Sequence, residues 1–514
     1  MPATPPSATV SPPSGTAGRA APGTDDLPEQ MRVRVAKRER LLATGPAPYP
    51  VAVPRSHTLA EVRAGWPDLP PGTETTDEVS VAGRVVFLRE AGRLCFGTLQ
   101  AGDGTRLQVM VSEAAVGAAA LAAWKDDVDL GDHVSVSGVV GSSRRGELSV
   151  LARAWVLAAK ALRPLPTLHK ELSDEARVRQ RDVDLVVRPQ ARDVVRTKAA
   201  VLRALRETFH ARGFLEVETP VLQLQHGGAA ARPFRTHANA LDTEMSLRIA
   251  TELHLKRCVV GGIEKVYEIG RVFRNEGIDA SHHPEFTMVE AYEAYGSGAT
   301  MRELTRDLVL AAARAAGREE IDDGAGGRID LTGEWPVRTV HEAVSSVLGE
   351  EVTPGTSTAV ARRLADRAGV PVQEGWTAGE IVVEMYEKLV EATVREPVFV
   401  GMFPAEVRPL ARQDPDDPRL AAAWDLVVGG TELVTLYTEL TDPVIQRERL
   451  NEQARRAAAG DPEAMRLDED FLRALEHGMP PTGGMGMGVD RLVMLLSGVG
   501  IREAVLFPLL RPEH

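Results

Sequence analysis

Between residues 77 and 160 the apolar side chains recur at every second position, and from Val194 onward they recur at helical spacing. That change of period divides the chain into a β-built part and a larger mixed part. Val79 and Val81 alternate, the runs Cys95–Leu99 and Leu107–Val111 flank the turn Gly102-Asp103-Gly104, and Val134–Ser137 alternates again. Hairpins at this spacing, interrupted by one Ala-rich helix over Ala114–Trp124, predict a five-stranded OB barrel, with another small barrel or sandwich as the alternative. Pro164 and Pro166 open a polar linker. Val195, Leu202, Leu205 and Phe209 then form one helical stripe that Gly213 ends, and a long α+β region follows to His514, with a surface loop expected over 316–330.

Ahead of the barrel, residues 1–28 are read as a disordered Pro/Ala-rich tail and 29–75 as a helix with a connector. The helix, Glu29 to about Leu42, is strongly basic: either a solvated face or one turned toward a polynucleotide. The expected boundaries are then 76–163 for the barrel, 164–190 for a hinge and 191–514 for the α+β domain. A net charge of -13 argues against nonspecific coating of nucleic acid, yet leaves room for a local basic face. Cys95 and Cys258 are the only cysteines, too few for a disulfide framework or a structural zinc site, which fits a reducing cytoplasm. The longest apolar stretch, Ala114–Trp124, falls short of the ~20 residues that cross a membrane, and no secretory signal is expected at the N-terminus.

Three stretches carry chemistry. Gly213-Phe-Leu-Glu-Val-Glu-Thr-Pro220 is a helix stop running into a strand that ends at proline. Phe273-Arg-Asn-Glu-Gly277 is followed by His282-His283-Pro284-Glu285-Phe286-Thr287. Gly484-Met-Gly-Met-Gly488-Val-Asp-Arg491 opens the apolar helix Leu492–Leu496. Alone, the last is a weak phosphate-loop signal, because glycines often serve turns. Together and in this order the three resemble the signature motifs of class II aminoacyl-tRNA synthetases. With Gly227–Phe234, Thr251–Arg257 and Gly478–Gly484 added, the chain from about Glu29 to Pro512 resembles the bacterial-type lysyl-tRNA synthetase family. The resemblance implies an antiparallel sheet flanked by helices, preceded by an OB anticodon-binding barrel, in a homodimer that uses ATP, Mg²⁺, L-lysine and tRNA(Lys).

What the resemblance implies for single residues agrees with the chemistry. When a carboxylate attacks the α-phosphate of ATP, two anions meet, so fixed positive charge and metal are needed. Arg274 supplies a planar fork for both anions, Glu276 meets the adenine, His282 meets the phosphates, and Phe286 with Arg491 brackets the base. Asp425 and Glu432 match the two acidic Mg²⁺ ligands. Glu290 and Glu439, with Tyr292 and Tyr437 beside them, suit a long aliphatic chain ending in an ammonium; Gly228 and Glu252 match the positions that hold the α-amino group, and Thr435 donates to the carboxylate. On the barrel, Phe96, Gln108 and Glu147 match positions that stack on and hydrogen-bond the anticodon bases, while Arg84 and Arg93 are candidates for phosphates.

Departures from the family pattern are also visible. Ser281 stands where an arginine is common and His283 where asparagine is usual, which removes one fixed charge for pyrophosphate. Thr435 often corresponds to asparagine, and Leu436, in place of glycine or alanine, adds bulk near the pocket floor. Asp182-Val183 replaces a usual Tyr-Leu after Arg177, Arg179 and Arg181. Three readings compete with a lysine–tRNA ligase. Aspartate or asparagine specificity is opposed by Glu290 and Glu439. A divergent paralogue with altered specificity, or a regulatory nucleic-acid-binding role, is opposed by the retained Arg274, Glu276, Arg491 and both acidic residues, Asp425 and Glu432. A lipid-lysylating enzyme needs a membrane portion.

Overall fold

The computed structural model describes residues 27–45, 47–166, 172–323, 326–458 and 464–512, so the predicted disordered tail lies almost wholly outside the described residues. Contacts divide the chain into two units, one reaching Ser173 and including Leu185–Pro189, the other formed by Asp174–Asp184 and Gln190 onward.

In the first unit, β1 (Glu74–Ala91), β2 (Leu94–Gln100), β3 (Arg106–Ser112), β4 (His133–Ser142) and β5 (Leu148–Ala159) close a barrel in the order β1-β2-β3-β5-β4. This is the OB order, and the alternating side chains fill it: Val81, Cys95, Leu99, Leu107, Val109, Val111, Val136 and Val150 point inward, around Trp124. The expected single Ala-rich helix is two, Glu113–Val116 and Ala118–Asp127, because Gly117 breaks it at φ 85°. The basic helix spans Glu29–Thr44; Lys37 pairs with Asp129 at 2.9 Å and Arg40 with Asp127, so part of its charge is engaged within this unit.

The second unit is built on an eight-stranded sheet. Its strands are β6 (Leu215–Glu216), β10 (Lys265–Phe273), β11 (Glu285–Ala294), β14 (Val337–Thr339), β15 (Val398–Pro404), β16 (Leu420–Val428), β17 (Thr431–Thr438) and β18 (Thr482–Gly488), in the order β14-β15-β16-β17-β18-β11-β10-β6. Pairing is antiparallel except at the two edges, β14 with β15 and β6 with β10. Two small sheets accompany it: β7 (Leu222–Gln223), β8 (Arg235–Ala238) and β9 (Thr243–Leu247), and the hairpin β12 (Glu320–Asp322) with β13 (Arg328–Asp330). That hairpin replaces the surface loop expected over 316–330, because Ile321 and Ile329 are apolar anchors that insert into the core.

One face of the central strands is apolar. Val289 and Ala291 of β11, Val434 and Leu436 of β17 and Met485 and Met487 of β18 pack beneath the helices Pro189–Ala211, Gly298–Ala316 and Val489–Ser497. Proline opens the first of these, where its missing N–H costs nothing. Its buried stripe is Val194, Val201, Leu205 and Phe209, one position off the expected set near its start, and Val195 is exposed. The residue between Val194 and Val201 on that face is Lys198, which reaches Asp490. Arg181, in the expected hinge, is buried on Asp184 at 2.8 Å and donates to the carbonyls of Arg502 and Leu506.

Leu436 is fully buried in this core, on the opposite face of β17 from Thr435 and Tyr437, so it adds no bulk to a pocket floor. Leu436→Gly should therefore open a cavity in the core. The expected cost, about 3–5 kcal/mol, would appear as a melting temperature lower by at least about 5 °C in a thermal scan. A melt unchanged within a degree would place Leu436 outside the packed core.

Candidate active site

The other face of the same strands carries the polar residues, and register decides which of them meet. Across the sheet Glu268 stands opposite Glu290, Glu290 opposite Gly486, Gly486 opposite Thr435, and Thr435 opposite Asp425. The next row runs Tyr292, Gly484, Tyr437. A side chain on β18 would fill the space between these rows. A Cβ at Gly484 would lie 2.0 Å from Glu439 Oε1 and 2.6 Å from the Tyr292 ring, so the glycines of the third motif are the floor of a cavity and not a phosphate loop. Gly228 closes the cavity from the side at φ 85°, where a Cβ would meet Glu252 at 3.0 Å.

The cavity measures about 630 Å³, and Gly228, Glu252, Arg274, Glu276, His282, Phe286, Glu290, Tyr292, Glu432, Thr435, Tyr437, Glu439 and Arg491 all line it. Its deep end is acidic. Glu290 and Glu439 are 3% and 1% exposed. The Thr251 N–H donates to Glu290 Oε1 at 2.9 Å and the Tyr292 hydroxyl to Oε2 at 3.2 Å, yet burial pushes the Glu290 carboxyl up to about 7, with Glu252 adding repulsion. Glu439 is also raised, by burial first, against the pull of Lys256. Sequence reasoning missed Lys256. This fully buried ammonium lies 2.6 Å from Glu252 and 2.5 Å from Glu439, so the two carboxylates are joined by a cation of the chain itself. Its place four residues after Glu252 on the helix Glu252–Val260 was the available signal. Apart from that ion pair, neither Glu439 oxygen has a hydrogen-bond partner.

The outer end is cationic. Arg274 leaves the end of β10, and burial disfavours its charge while Glu276, Glu290 and Glu432 favour it. Its guanidinium lies 5.3 Å from the centre of the Phe286 ring. Arg491 instead donates to the Glu432 carbonyl at 2.8 Å and lies 3.4 Å from His282 Nε2. His282 is held by Asp279 through Nδ1 at 2.8 Å; burial works to raise that carboxyl, but the hydrogen bonds it accepts from Ser281 and His282 together draw it down to about 2. Glu276 accepts from the Arg232 N–H at 3.3 Å. His283 is a strut: Nε2 accepts from the Leu509 N–H at 2.8 Å and Nδ1 contacts the Glu285 carbonyl. Asp490 ties motif to motif, accepting from the Thr287 N–H at 2.7 Å and from Lys198.

Asp425 and Glu432 do not face the cavity together. Glu432 lines it, but the Asp425 carboxylate is buried behind Arg408, whose Nη2 donates to Oδ2 at 2.6 Å. Two further acids missing from the sequence reading, Glu387 and Glu391, line the wall beside Glu432, and Glu391 accepts the Glu432 N–H at 3.1 Å. Burial raises the Glu387 and Glu391 carboxyls, with Glu384 and Glu391 repelling Glu387 and Glu432 repelling Glu391. Three carboxylates on one wall of the cavity offer the hard oxygen donors that a divalent cation takes.

On the barrel, Phe96 points outward between the inward-facing Cys95 and Gly97, and the Arg89 guanidinium sits 4.4 Å from its ring centre. It is not core packing. Gln108 lies on the adjoining strand and donates to Ser149 Oγ at 2.8 Å, and Glu147 pairs with Arg63 at 2.9 Å. Arg84 stands opposite Gln100, roughly 13 Å along β2 from Phe96 at ~3.3 Å per residue, and donates to the Gly131 carbonyl. Phe96 and Gln108 thus share one outer face, with Arg84 at its far end.

Comparison with known proteins agrees with both halves of this arrangement. Residues 173–511 match the family described as tRNA synthetases class II (D, K and N), and residues 79–158 match OB-fold nucleic acid binding domains. A lysine–tRNA ligase of Kineococcus radiotolerans is 58% identical over 95% of this chain and 98% of its own. The chain belongs to the lysine–tRNA ligase family. Another member, from Mycobacterium bovis, is 57% identical over 96% and 99% of the two chains. The lysylphosphatidylglycerol biosynthesis bifunctional protein LysX of Nocardia farcinica is 52% identical over 95% of this chain but only 43% of its own.

For this family member the buried ion triad makes a direct prediction. Removing Lys256 as Met leaves Glu252 and Glu439 buried without a cation, a loss of about 3–5 kcal/mol. The deficit relative to wild type should shrink as pH falls from 8 to 5, because the orphaned carboxyls take up protons. Equal deficits at both pH values in denaturant melts would show that Lys256 matters only for packing.

Proposed function

We propose that the cavity activates lysine with ATP and that the chain then passes the lysyl group to tRNA(Lys). The observation that carries the substrate assignment is a charge count. When ionised, Glu252, Glu290 and Glu439 bring three negative charges to the deep end and Lys256 one positive, leaving two for a bound cation to stabilise. A free lysine brings an α-ammonium and an ε-ammonium, and its carboxylate falls to Arg274 at the cationic end. The side chain would run between the rings of Tyr292 and Tyr437, with the α-ammonium near Gly228 and Glu252. An aspartate side chain would put a fourth carboxylate among acids that already resist ionisation.

In the first half-reaction a lysine carboxylate oxygen bonds to the α-phosphorus of ATP and the bond to the β-phosphate oxygen breaks, releasing pyrophosphate. Arg274 holds both reacting anions, and its fixed fork costs no reorganisation in the transition state. Phe286 and Arg491 hold the base, Glu276 its edge, and His282 the phosphates. A divalent ion such as Mg²⁺, when bound, supplies charge neutralisation for the leaving pyrophosphate, and Glu432 with Glu391 are suited to hold it. In the second half-reaction a terminal ribose hydroxyl of tRNA attacks the lysyl carbonyl and AMP leaves. Phe96, Gln108 and Glu147 read the anticodon, with Arg84 and Arg93 near its backbone. Exposed Leu215, Leu222 and Leu224 around the first motif support a homodimer. Among the described residues no helix is long and apolar enough to cross a membrane, and the proposed place of work is the cytoplasm.

Amino-acid-dependent ATP–pyrophosphate exchange across all twenty amino acids tests this reading: lysine alone should support turnover. Exchange with aspartate in place of lysine would overturn the charge count. Because Glu290 titrates near 7 in the free pocket, and only its ionised form attracts an ammonium, the KM for lysine should fall up to ~10-fold between pH 6 and pH 8. By the same shift, upward from 4.5, its contribution to the stability of the ligand-free protein is present below pH 4.5 and lost as pH rises through 7. A lysine KM flat across that range would remove Glu290 from the pocket. Phe96→Ala should reduce tRNA charging by the ~1–3 kcal/mol of one stacked base and leave exchange without tRNA unchanged. Equal losses in both assays would contradict its role as a base platform.

A further inference from the structure

Arg408 follows the short turn Ala405–Val407, and its guanidinium lies 4.3 Å from the centre of the Phe403 ring. It lines the active-site cavity and also a second cavity of about 280 Å³ that shares Gly228, Glu252 and Tyr437 with the first. Its Nη2 donates to Asp425 Oδ2 at 2.6 Å, and Glu432 and Glu387 are close enough to help hold it charged. Asp425 is 3% exposed, and its other oxygen, Oδ1, makes no hydrogen bond of normal geometry, although the Thr435 hydroxyl is near enough to favour the carboxylate. Glu387, Glu391 and Glu432 line the cavity; Asp425 does not.

A carboxylate whose one free oxygen is buried, and whose other is held by a guanidinium, is poorly placed to ligate a hydrated ion. Mg²⁺ demands near-octahedral oxygen ligands and gives up its waters reluctantly. Arginine keeps its charge at every accessible pH and, unlike an ion, does not dissociate with product. We propose that Arg408 is a resident cation of the nucleotide site: it neutralises Asp425 permanently, removes it from metal coordination, and leaves the divalent ion to Glu432 and Glu391. The inference rests on reading the cavity as an ATP site. It assigns a positioning role to Arg408 and a metal role to Glu391, neither of which follows from the sequence motifs.

The test uses the full chain with a nonhydrolysable ATP analogue and Mn²⁺ as the probe, reading free Mn²⁺ by electron paramagnetic resonance. Glu432→Gln and Glu391→Gln should each weaken Mn²⁺ binding by ~10-fold or more, as loss of a metal-site residue does, while Asp425→Asn stays within about 2-fold of wild type. Arg408→Met, which releases Asp425, should tighten Mn²⁺ binding or add one equivalent. The double variant Arg408→Met with Asp425→Asn should return to the wild-type stoichiometry, and it contains no orphaned charge that would destabilise the fold. Asp425→Asn weakening Mn²⁺ as strongly as Glu432→Gln would overturn the proposal, as would Arg408→Met leaving affinity and stoichiometry unchanged in a protein with a normal melt. Calorimetry of the nucleotide alone separates the two levels: failure to bind the analogue would defeat the ATP-site reading itself.

Discussion

The active site exists because β18 has no side chains where its neighbours have their largest. Antiparallel strands stand about 4.8 Å apart, so Glu290 and Thr435, two strands from one another across Gly486, are separated by roughly 10 Å. A Cβ at Gly486 would lie 2.7 Å from the Met288 methyl, and one at Gly484, in the next row, would touch Glu439 and Tyr292. The same alternation sends Met485 and Met487 downward into the core, so a strand that is empty above is fully anchored below. Cavity and core are thus two faces of one period-two pattern. The helix that follows, Val489–Ser497, fixes its position through Asp490, which binds the Thr287 backbone and Lys198.

Electrostatics then differentiates the two ends of the cavity. Burying carboxylates is costly unless cations join them, and the chain supplies one cation to each acidic group: Lys256 to Glu252 and Glu439, Arg408 to Asp425. At each end other acids remain beyond those pairs, Glu290 at one and Glu432 with Glu391 at the other. The remaining negative charge suits a diamino cation at one end and a metal ion at the other. Arg274 stands between them, close enough to Glu290, Glu432 and Arg491 for each to act on its charge.

Much of this was legible in the sequence, for identifiable reasons. The barrel shows in alternation because its inside and outside differ chemically at every step. The site residues show because they sit on motifs whose order is distinctive. What stayed hidden depended on register and on contacts between distant segments. Leu436 reads as a pocket residue by proximity to Thr435 and Tyr437, but a strand turns each successive side chain to the opposite face. Arg408 lies in a polar stretch with no pattern of its own, 17 residues before its partner Asp425. The hairpin around Ile321 and Ile329 was masked by the polar residues that surround two isolated apolar anchors.

The glycine row also shapes how this enzyme's specificity can evolve. Most strands tolerate drift on either face, but Gly484 is bounded by Glu439 on one neighbour and Tyr292 on the other. A replacement at Gly484 or Gly486 cannot enlarge the pocket; it can only fill it. A lineage moving toward a different amino acid must therefore change β11 or the β17 end first, at residues that already hold buried charge, and pass through intermediates with an unbalanced site. The pocket is open to loss by many routes and to conversion by few.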